Sequence, residues 1–206
     1  MREPMAKLSG LNTYPQELGL DLKTEQDRFK WFLASILFTK RISAEVAKRT
    51  YKEFEKHGIV TAEAISQAGW DKLVEVLDAG GYVRYDFSTA SNLLAIANAL
   101  IEKYGSLEAL YDQSADSGDL EKRLLGFKGV GPTTINIFLR ELRGIWEKAQ
   151  PQPSPLAIEV ASKLGLGDEE LTVTEPVLVK LNLEFCKHKR CSSCPISPEC
   201  RQITNT

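Results

Sequence analysis

The chain has 206 residues, of which 43% are hydrophobic, enough for a buried core in one large domain or two small interlocked ones. No apolar run approaches the roughly 18 residues that a membrane helix needs, so we expect a cytosolic protein without membrane contact. The formal net charge of −2 excludes a uniformly basic nucleic-acid-binding protein. Residues 120–150 and 186–203 nevertheless each carry a net charge of +3, and a local basic patch would be sufficient for nucleic acid.

Apolar residues recur at helical spacing along nearly the whole chain, and no run alternates with period two. The predicted fold class is therefore all-α. Thr24, Ser43 and Asp119 are predicted helix starts. The predicted helices cover about 24–37, 43–57, 61–69, 71–77, 88–104, 107–111, 119–125, 132–146, 155–164 and 175–185. A proline-rich connector, residues 150–155, precedes the last two helices.

Two glycines flank a valine where one predicted helix ends and the next begins, in Phe127-Lys128-Gly129-Val130-Gly131-Pro132-Thr133-Thr134-Ile135. Glycine lets the backbone turn sharply and approach another surface without a Cβ atom between them. Pro132 suits the first position of a helix. The N–H groups of such a turn and helix start can bind an anion, and Lys128 adds a cation. We therefore expect a phosphate to bind here, with a plain connector between two helices as the alternative.

All four cysteines lie near the C-terminus, as Cys186-x4-Cys191-x2-Cys194-x5-Cys200. Thiolates at this density can converge on one centre, and such sets hold zinc or an iron–sulfur cluster. Two disulfides in a secreted protein are the alternative. Residues 1–7 do not resemble a signal peptide, so we expect a metal centre.

The hairpin and the cysteine spacing together resemble the helix-hairpin-helix (HhH-GPD) DNA glycosylase superfamily, in its endonuclease III-like branch, over about residues 24–203. Members carry an L-x-G-V-G-x-x-T-A hairpin and a loop whose four cysteines bind a [4Fe–4S] cluster. This loop has four rather than six residues between the first two cysteines. The resemblance implies two lobes, with DNA bound between them. Residues 23–131 would form a six-helix barrel lobe that ends in the hairpin, and residues 1–22 with 132–206 a discontinuous cluster lobe.

The resemblance also implies how the chain would contact double-stranded DNA. The hairpin would hold one phosphate backbone, sometimes with a monovalent cation on its carbonyl groups. The implied hairpin contacts are Lys128, Gly129, Val130, Gly131, Thr133 and Thr134. The cysteine loop would hold the backbone elsewhere through Lys187, Lys189 and Arg190, although a solvated run of charge is the alternative.

Three further residues correspond to family positions near the flipped base. Lys40 stands where members often have a glutamine that fills the gap the base leaves. Tyr82 and Tyr85 lie in a segment that faces the DNA or the base pocket in the family, where rings could stack on a base. The alternatives are a surface lysine at a helix end and aromatic packing beneath the helix that follows.

Two residues depart from the family pattern. Lyase members have a lysine two residues after the second hairpin glycine, and this chain has Thr133, which cannot form a Schiff base. Members also have an aspartate that stabilises the positive charge developing on the sugar, and this chain has Ser154 in its place. The carboxylates nearest in sequence, Glu147 and Glu159, are the candidate substitutes.

The expected function is therefore in base-excision DNA repair. A monofunctional DNA glycosylase would hydrolyse the N-glycosidic bond of a damaged or mispaired base. The expected protein is a monomer in the cytoplasm, associated with the nucleoid. A catalytically inactive iron–sulfur paralogue that recognises lesions or DNA structure is the first alternative. A zinc-stabilised or redox module unrelated to DNA is the second.

Overall fold

The structure, a computed structural model, describes residues 3–201. Every regular element in this range is a helix, so the predicted all-α class is confirmed. The α-helices are α1 (Glu3–Leu8), α2 (Tyr14–Leu18), α3 (Glu25–Phe38), α4 (Ala44–Lys56), α5 (Ala62–Gly80), α6 (Asp86–Lys103), α7 (Leu107–Gln113), α8 (Ser117–Leu125), α9 (Pro132–Arg140), α10 (Pro155–Leu164) and α11 (Asp168–Glu184). Short 3₁₀ helices follow at Cys186–His188, Cys191–Ser193 and Ser197–Glu199. None of the described helices is long and apolar enough to cross a membrane.

Side-chain capping explains several helix starts, including two where the predicted start was wrong. The Thr24 side chain accepts the Asp27 N–H at 3.3 Å, as a helix start there requires. α8 begins earlier than predicted because Asp116, rather than Asp119, is the cap, accepting the Asp119 N–H at 2.8 Å. α11 begins well before its predicted start because the Glu170 side chain accepts the Gly167 N–H at 3.0 Å.

The helix after the hairpin ends at Arg140 rather than near residue 146. The two predicted helices at 61–69 and 71–77 are both present within α5, where they are separated by a kink at Gly69 whose backbone is not helical. Gly69 has φ +74°, a left-handed backbone conformation that other residues rarely adopt.

The chain divides into two compact units. The central unit is Leu18–Pro151, and the terminal unit combines Met1–Glu17 with Gln152–Thr206. The division after residue 151 coincides with the proline-rich connector. The sequence had placed it after residue 131 instead.

α9 belongs to the central unit because its apolar face packs on α3. The Trp31 indole N–H donates to the Phe138 carbonyl at 3.3 Å. The Phe32 and Phe138 rings meet edge to face at 5.1 Å, and Phe138 meets Trp146 in the same way at 5.6 Å. All four side chains are buried, so the segment after the hairpin is part of this core. The predicted boundary at 131/132 is therefore corrected to 151/152.

The terminal unit is built on the antiparallel pair α10 and α11. Its apolar core contains Leu8, Ala157, Val160, Ala161, Leu164, Leu171, Val177, Leu178, Val179, Leu181 and Ile196. The N-terminal segment is attached by two lysines. Lys180 on α11 donates to the Asn12 carbonyl at 2.8 Å and pairs with Glu17, and Lys7 on α1 pairs with Glu199. Through the Lys7–Glu199 pair, the N-terminal segment contacts the segment that contains the cysteines.

Candidate functional site

The hairpin turn, residues 126–131, joins α8 to α9 in the central unit. Gly129 has φ +84°, and a Cβ atom there would lie 2.3 Å from the Asn92 side-chain nitrogen. Gly131 is extended, with φ −120°, and a Cβ atom there would meet nothing within 4 Å. The two glycines therefore have different roles, because Gly129 is required by the fold while Gly131 leaves open space at the surface.

The turn presents backbone N–H groups that the fold does not use. The Val130 N–H donates to the Phe127 carbonyl at 3.1 Å and closes the turn. Among residues 3–201, the N–H groups of Gly129, Gly131 and Thr133 have no hydrogen-bond partner, and no side chain caps α9. Gly129 and Thr133 are exposed and Gly131 is half-buried. N–H groups arranged at a turn and a helix start favour an anion.

The side chains of the predicted hairpin contacts divide into two groups. Lys128 and Thr133 are exposed and accessible to a ligand. Val130 is buried, so it holds the turn in place and offers no side-chain contact to DNA. Thr134 is also buried, and its hydroxyl lies 2.9 Å from that of Thr39, the residue that follows α3. The side chains of Val130 and Thr134 therefore belong to the core, and the predicted DNA contact at these two positions would fall to their backbone.

Lys40, at the end of α3, faces an aromatic–basic turn between α5 and α6. Its ammonium lies 5.8 Å from the centre of the Tyr85 ring, and the Arg84 guanidinium lies 5.6 Å from the same ring. Tyr85 is half-buried and can still present part of its ring. Tyr82 is fully buried, and its hydroxyl donates to the Leu37 carbonyl at 2.9 Å. The predicted base contact is therefore wrong for Tyr82, because its ring is part of the core.

The cysteine loop, residues 186–201, lies against the core of the terminal unit. Cys186, Cys194 and Cys200 are half-buried against the apolar residues of that core, and Cys191 is exposed. None of the four is in a disulfide. The bonded pairs of the secreted-protein alternative are therefore absent from this loop.

The four thiols are electrostatic neighbours. Burial raises the pKa of the Cys186 thiol; Lys163 opposes this effect, and Cys194 and Cys200 add to it. Burial likewise raises the pKa of Cys194, the Ile196 N–H opposes it, and Cys200 and Cys191 add to it. All four thiols are thus close enough to take part in at least one such interaction.

The donor set fits a thiolate-bound centre in chemical type. Four cysteine thiolates are a ligand set of structural zinc and of iron–sulfur clusters, and three of the four thiols here lie on one apolar surface. Within residues 3–201, however, no three Cys, His, Asp or Glu side chains are placed to hold one metal ion. The cysteine loop therefore has the ligand types for such a centre without a closed ligand geometry.

Three neighbouring basic side chains of the cysteine loop are exposed to solvent. Lys187, Lys189 and Arg190 are exposed and form no ion pair with any described residue. Lys189 has φ +55°, a left-handed conformation uncommon for a non-glycine residue, where the first 3₁₀ turn ends. Unpaired cations on one short loop are suited to a polyanion.

Ser154 is the N-cap of α10, and a buried carboxylate lies behind it. The Ser154 side chain accepts the Leu156 N–H at 3.3 Å. The Ser154 backbone N–H donates to Glu175 Oε1 at 2.7 Å. Glu175 lies on α11 and has no solvent exposure. The structure thus places the Glu175 carboxylate within hydrogen-bond distance of Ser154, the position at which the sequence has no acidic residue.

The two substitutes expected from the sequence have other surroundings. Glu159 is exposed, accepts from Lys163 at 2.5 Å and from the Asn182 amide at 3.0 Å, and its pKa is lowered by these two donors. Glu147 is exposed on the turns after α9, in the other unit. Neither is the hydrogen-bond acceptor at Ser154, so Glu175 replaces them as the candidate carboxylate.

Sequence reasoning missed Glu175 because it considered only carboxylates close to Ser154 along the chain. A signal was present in the sequence. Leu171 and Leu178 lie on the buried face of α11, and helical spacing places residue 175 on the same face. A glutamate at a core position of an apolar helix is unusual unless it has a partner.

No protein-family model and no curated protein sequence matches the chain.

Proposed function

We propose that the chain is a DNA-binding protein of base-excision repair. Its proposed activity is that of a monofunctional DNA glycosylase. It would bind duplex DNA and hydrolyse the N-glycosidic bond of a damaged or mispaired base. The observation that carries the proposal is the hairpin turn, where the unused N–H groups of Gly129, Gly131 and Thr133 lie beside the exposed Lys128.

A DNA phosphate is suited to this turn in both charge and shape. The N–H groups of Gly129, Gly131 and Thr133 would donate to its oxygens, as helix starts do in phosphate sites. The absence of a side chain at Gly131 would let the phosphate approach the backbone closely. Such contacts position a protein on DNA without reading sequence. A monovalent cation bound to the turn carbonyls would strengthen the same contact.

The cysteine loop supports the proposal through its charges. Cys186, Cys191, Cys194 and Cys200 would hold a [4Fe–4S] cluster, and the cluster would serve to fix the fold of the loop. The exposed Lys187, Lys189 and Arg190 would then contact the phosphate backbone at a second place.

The proposed reaction breaks the bond between the sugar C1′ and the base nitrogen. The electron pair leaves with the base, and positive charge develops on the sugar. A water oxygen then bonds to C1′ and the water loses a proton to solvent, while the departing base nitrogen takes up one proton from solvent, leaving an abasic site and the free base. Thr133 offers no amine, so no Schiff base forms and the DNA strand stays intact.

The test is a panel of duplexes that contain uracil, oxidised, alkylated and mismatched bases, incubated with excess protein. We expect one class of base to be released, leaving an abasic site in an uncut strand. If no base is released while the protein still binds lesions tightly, the glycosylase proposal is wrong.

That outcome would support the inactive paralogue, the second candidate function. It is favoured by the side chains at two positions, since Thr133 and Ser154 supply neither an amine nor a carboxylate. A protein that binds no duplex at all would favour the module unrelated to DNA.

A further inference from the structure

An exposed aromatic surface lies on the central unit, where α5 packs against the start of α6. Of the aromatic residues in the described part of the chain, residues 3–201, only Trp70 and Phe87 are exposed, by 38% and 60%. The two rings lie together, with centroids 5.4 Å apart and planes inclined at 36°. Val83, in the turn between the two helices, is also exposed. Apolar side chains that gather at one exposed place are typical of a binding surface.

Hydrogen bonds hold the two rings in place. The Trp70 indole N–H donates to Ser91 Oγ at 2.9 Å, and the Ser91 hydroxyl donates to the Phe87 carbonyl at 2.8 Å. Ser91 lies about one helical turn after Phe87 in α6, so one side chain links the indole to the backbone that carries the other ring. The aromatic surface is therefore formed before a ligand binds, which lowers the entropy cost of binding.

Three basic side chains lie around the turn between α5 and α6. Arg49 on α4 donates to the Gly80 carbonyl at 2.8 Å, and Lys40 and Arg84 both lie over the Tyr85 ring. None of the three basic side chains forms an ion pair with a carboxylate among residues 3–201, whereas every lysine of α4 pairs with a glutamate of that helix. Cations without a carboxylate partner are suited to phosphate groups.

The two acidic residues at the ends of this turn are directed to protein groups. Asp86 is buried, and its Oδ1 accepts the Phe87 N–H at 2.7 Å. Desolvation and a hydrogen bond with Asp86 raise the pKa of Asp78. A raised pKa favours the neutral form of an acid, so Asp78 opposes the nearby cations less than an isolated aspartate would.

We propose that this surface binds an unpaired strand of nucleic acid. Bases of the strand would stack on Phe87 and Trp70, and its phosphates would contact Lys40, Arg49 and Arg84. A base can stack on a protein ring only when its own face is uncovered, so a fully paired duplex would not use the two rings. The inference goes beyond the proposed function, because it requires neither the hairpin turn nor the release of a base.

Tryptophan fluorescence tests the site directly. Of the three tryptophans in the chain, Trp31 and Trp146 are buried, so Trp70 is the one that a base can reach. We expect quenching by a thymidine strand of about 15 nucleotides, within the usual site sizes of single-strand-binding proteins. A uridine strand of the same length distinguishes DNA from RNA by the tighter binding of one of the two. Trp70→Phe should abolish the quenching and keep the binding, because a ring is retained.

The variant Phe87→Ala removes the more exposed ring. Its affinity for the thymidine strand should fall about tenfold, as expected for the loss of one base–ring stack, while its duplex affinity and thermal unfolding stay close to wild type. Phe87→Tyr should bind like wild type. Ile101→Ala, at an exposed apolar residue of the same helix, is the matched control and should have no effect. Arg84→Ala should reduce the salt slope of strand binding by about 0.7, the contribution of one phosphate of a single strand.

The outcomes separate this inference from the proposed function. Strand affinity that is unchanged in Phe87→Ala overturns the inference, and so does the absence of quenching by both strands. Full affinity in Phe87→Leu also overturns it, since this would indicate an apolar contact of the kind a protein partner makes. If strands bind through Phe87 while the protein neither binds duplex nor releases a base, the proposed function fails and the inference stands. If Gly131→Ala weakens duplex binding while Phe87→Ala leaves strand affinity unchanged, the inference fails and duplex binding stands.

Discussion

Substituting the two hairpin glycines one at a time should separate an effect on the stability of the fold from an effect on DNA binding. Gly129→Ala forces an alanine to φ +84° and places its Cβ 2.3 Å from the Asn92 nitrogen and 2.6 Å from its Cγ. The left-handed backbone costs an alanine about 1–2 kcal/mol. Displacing the Asn92 side chain adds about 1 kcal/mol, the lower end for overpacking. We expect a loss of roughly 2–3 kcal/mol, which lowers the unfolding temperature by about 4–12 °C in a protein of this size.

Gly131→Ala is the matched variant two residues away. Its backbone is extended and the new Cβ meets nothing within 4 Å, so the free energy of unfolding should stay within about 1 kcal/mol of wild type. Its duplex affinity should nevertheless fall about tenfold, a difference of 1.4 kcal/mol, because the methyl group would lie where a phosphate approaches the backbone.

Thermal unfolding followed by circular dichroism and duplex binding followed by fluorescence anisotropy measure the two effects. If Gly129→Ala unfolds at the wild-type temperature, the described turn is wrong. If Gly131→Ala binds duplex as tightly as wild type, the phosphate does not approach the backbone there.

Four further predictions concern charge, chemistry and the cluster. Lys128→Ala should weaken binding to all duplex sequences alike and reduce the salt slope by about one, and a sequence-dependent loss would contradict a phosphate contact. Borohydride should trap no covalent protein–DNA complex, since Thr133 has no amine; robust trapping would reveal a lysine nucleophile elsewhere. Protein purified without oxygen should contain iron and sulfide in equal amounts, and Cys200→Ser should lower both; zinc with no sulfide would contradict the cluster. Arg123 and the Ala115 N–H lower the pKa of Asp119 in the folded protein. The stabilisation from the ionised Asp119 carboxylate is therefore fully present above the ordinary pKa of an aspartate, and it is lost as the pH falls through the lowered pKa. Wild type should therefore unfold at a higher temperature than Asp119→Asn at neutral pH. The two proteins should unfold at the same temperature when the pH is well below about 4, and a difference that persists there would contradict the role given to Asp119.

The fold class and most helices could be predicted from the sequence because their causes are local. Thr24 caps α3 as its side chain and spacing predict. The predicted start of α8 was wrong because two nearby residues are able to cap it. Asp116 and Asp119 could each start α8, and only the hydrogen bond in the structure distinguishes them. The continuation of the central unit through α9 could not be predicted, because it depends on how Phe138 packs against Trp31 and Phe32.

The candidate site, like the fold, could be predicted where its causes are local in the sequence and could not be predicted where they depend on packing. The hairpin turn follows from the two glycines and Pro132, all within six residues of Phe127 in the sequence. Which of its side chains face solvent depends on packing, and so the burial of the Thr134 side chain could not be predicted. Helical spacing with Leu171 and Leu178 indicates that Glu175 is buried, but its pairing with Ser154 joins segments 21 residues apart in the chain and could not be predicted from that spacing.

The salt dependence of duplex binding tests the central claim, that the chain binds the DNA phosphate backbone, most directly. Lys128, Lys187, Lys189 and Arg190 are the exposed cations assigned to phosphates. Each neutralised phosphate contributes about −0.9 to the slope of log K against log salt concentration, so the account predicts a slope of roughly −3 to −4. Binding that is unaffected by salt, or no binding to duplex DNA at low salt, would contradict it.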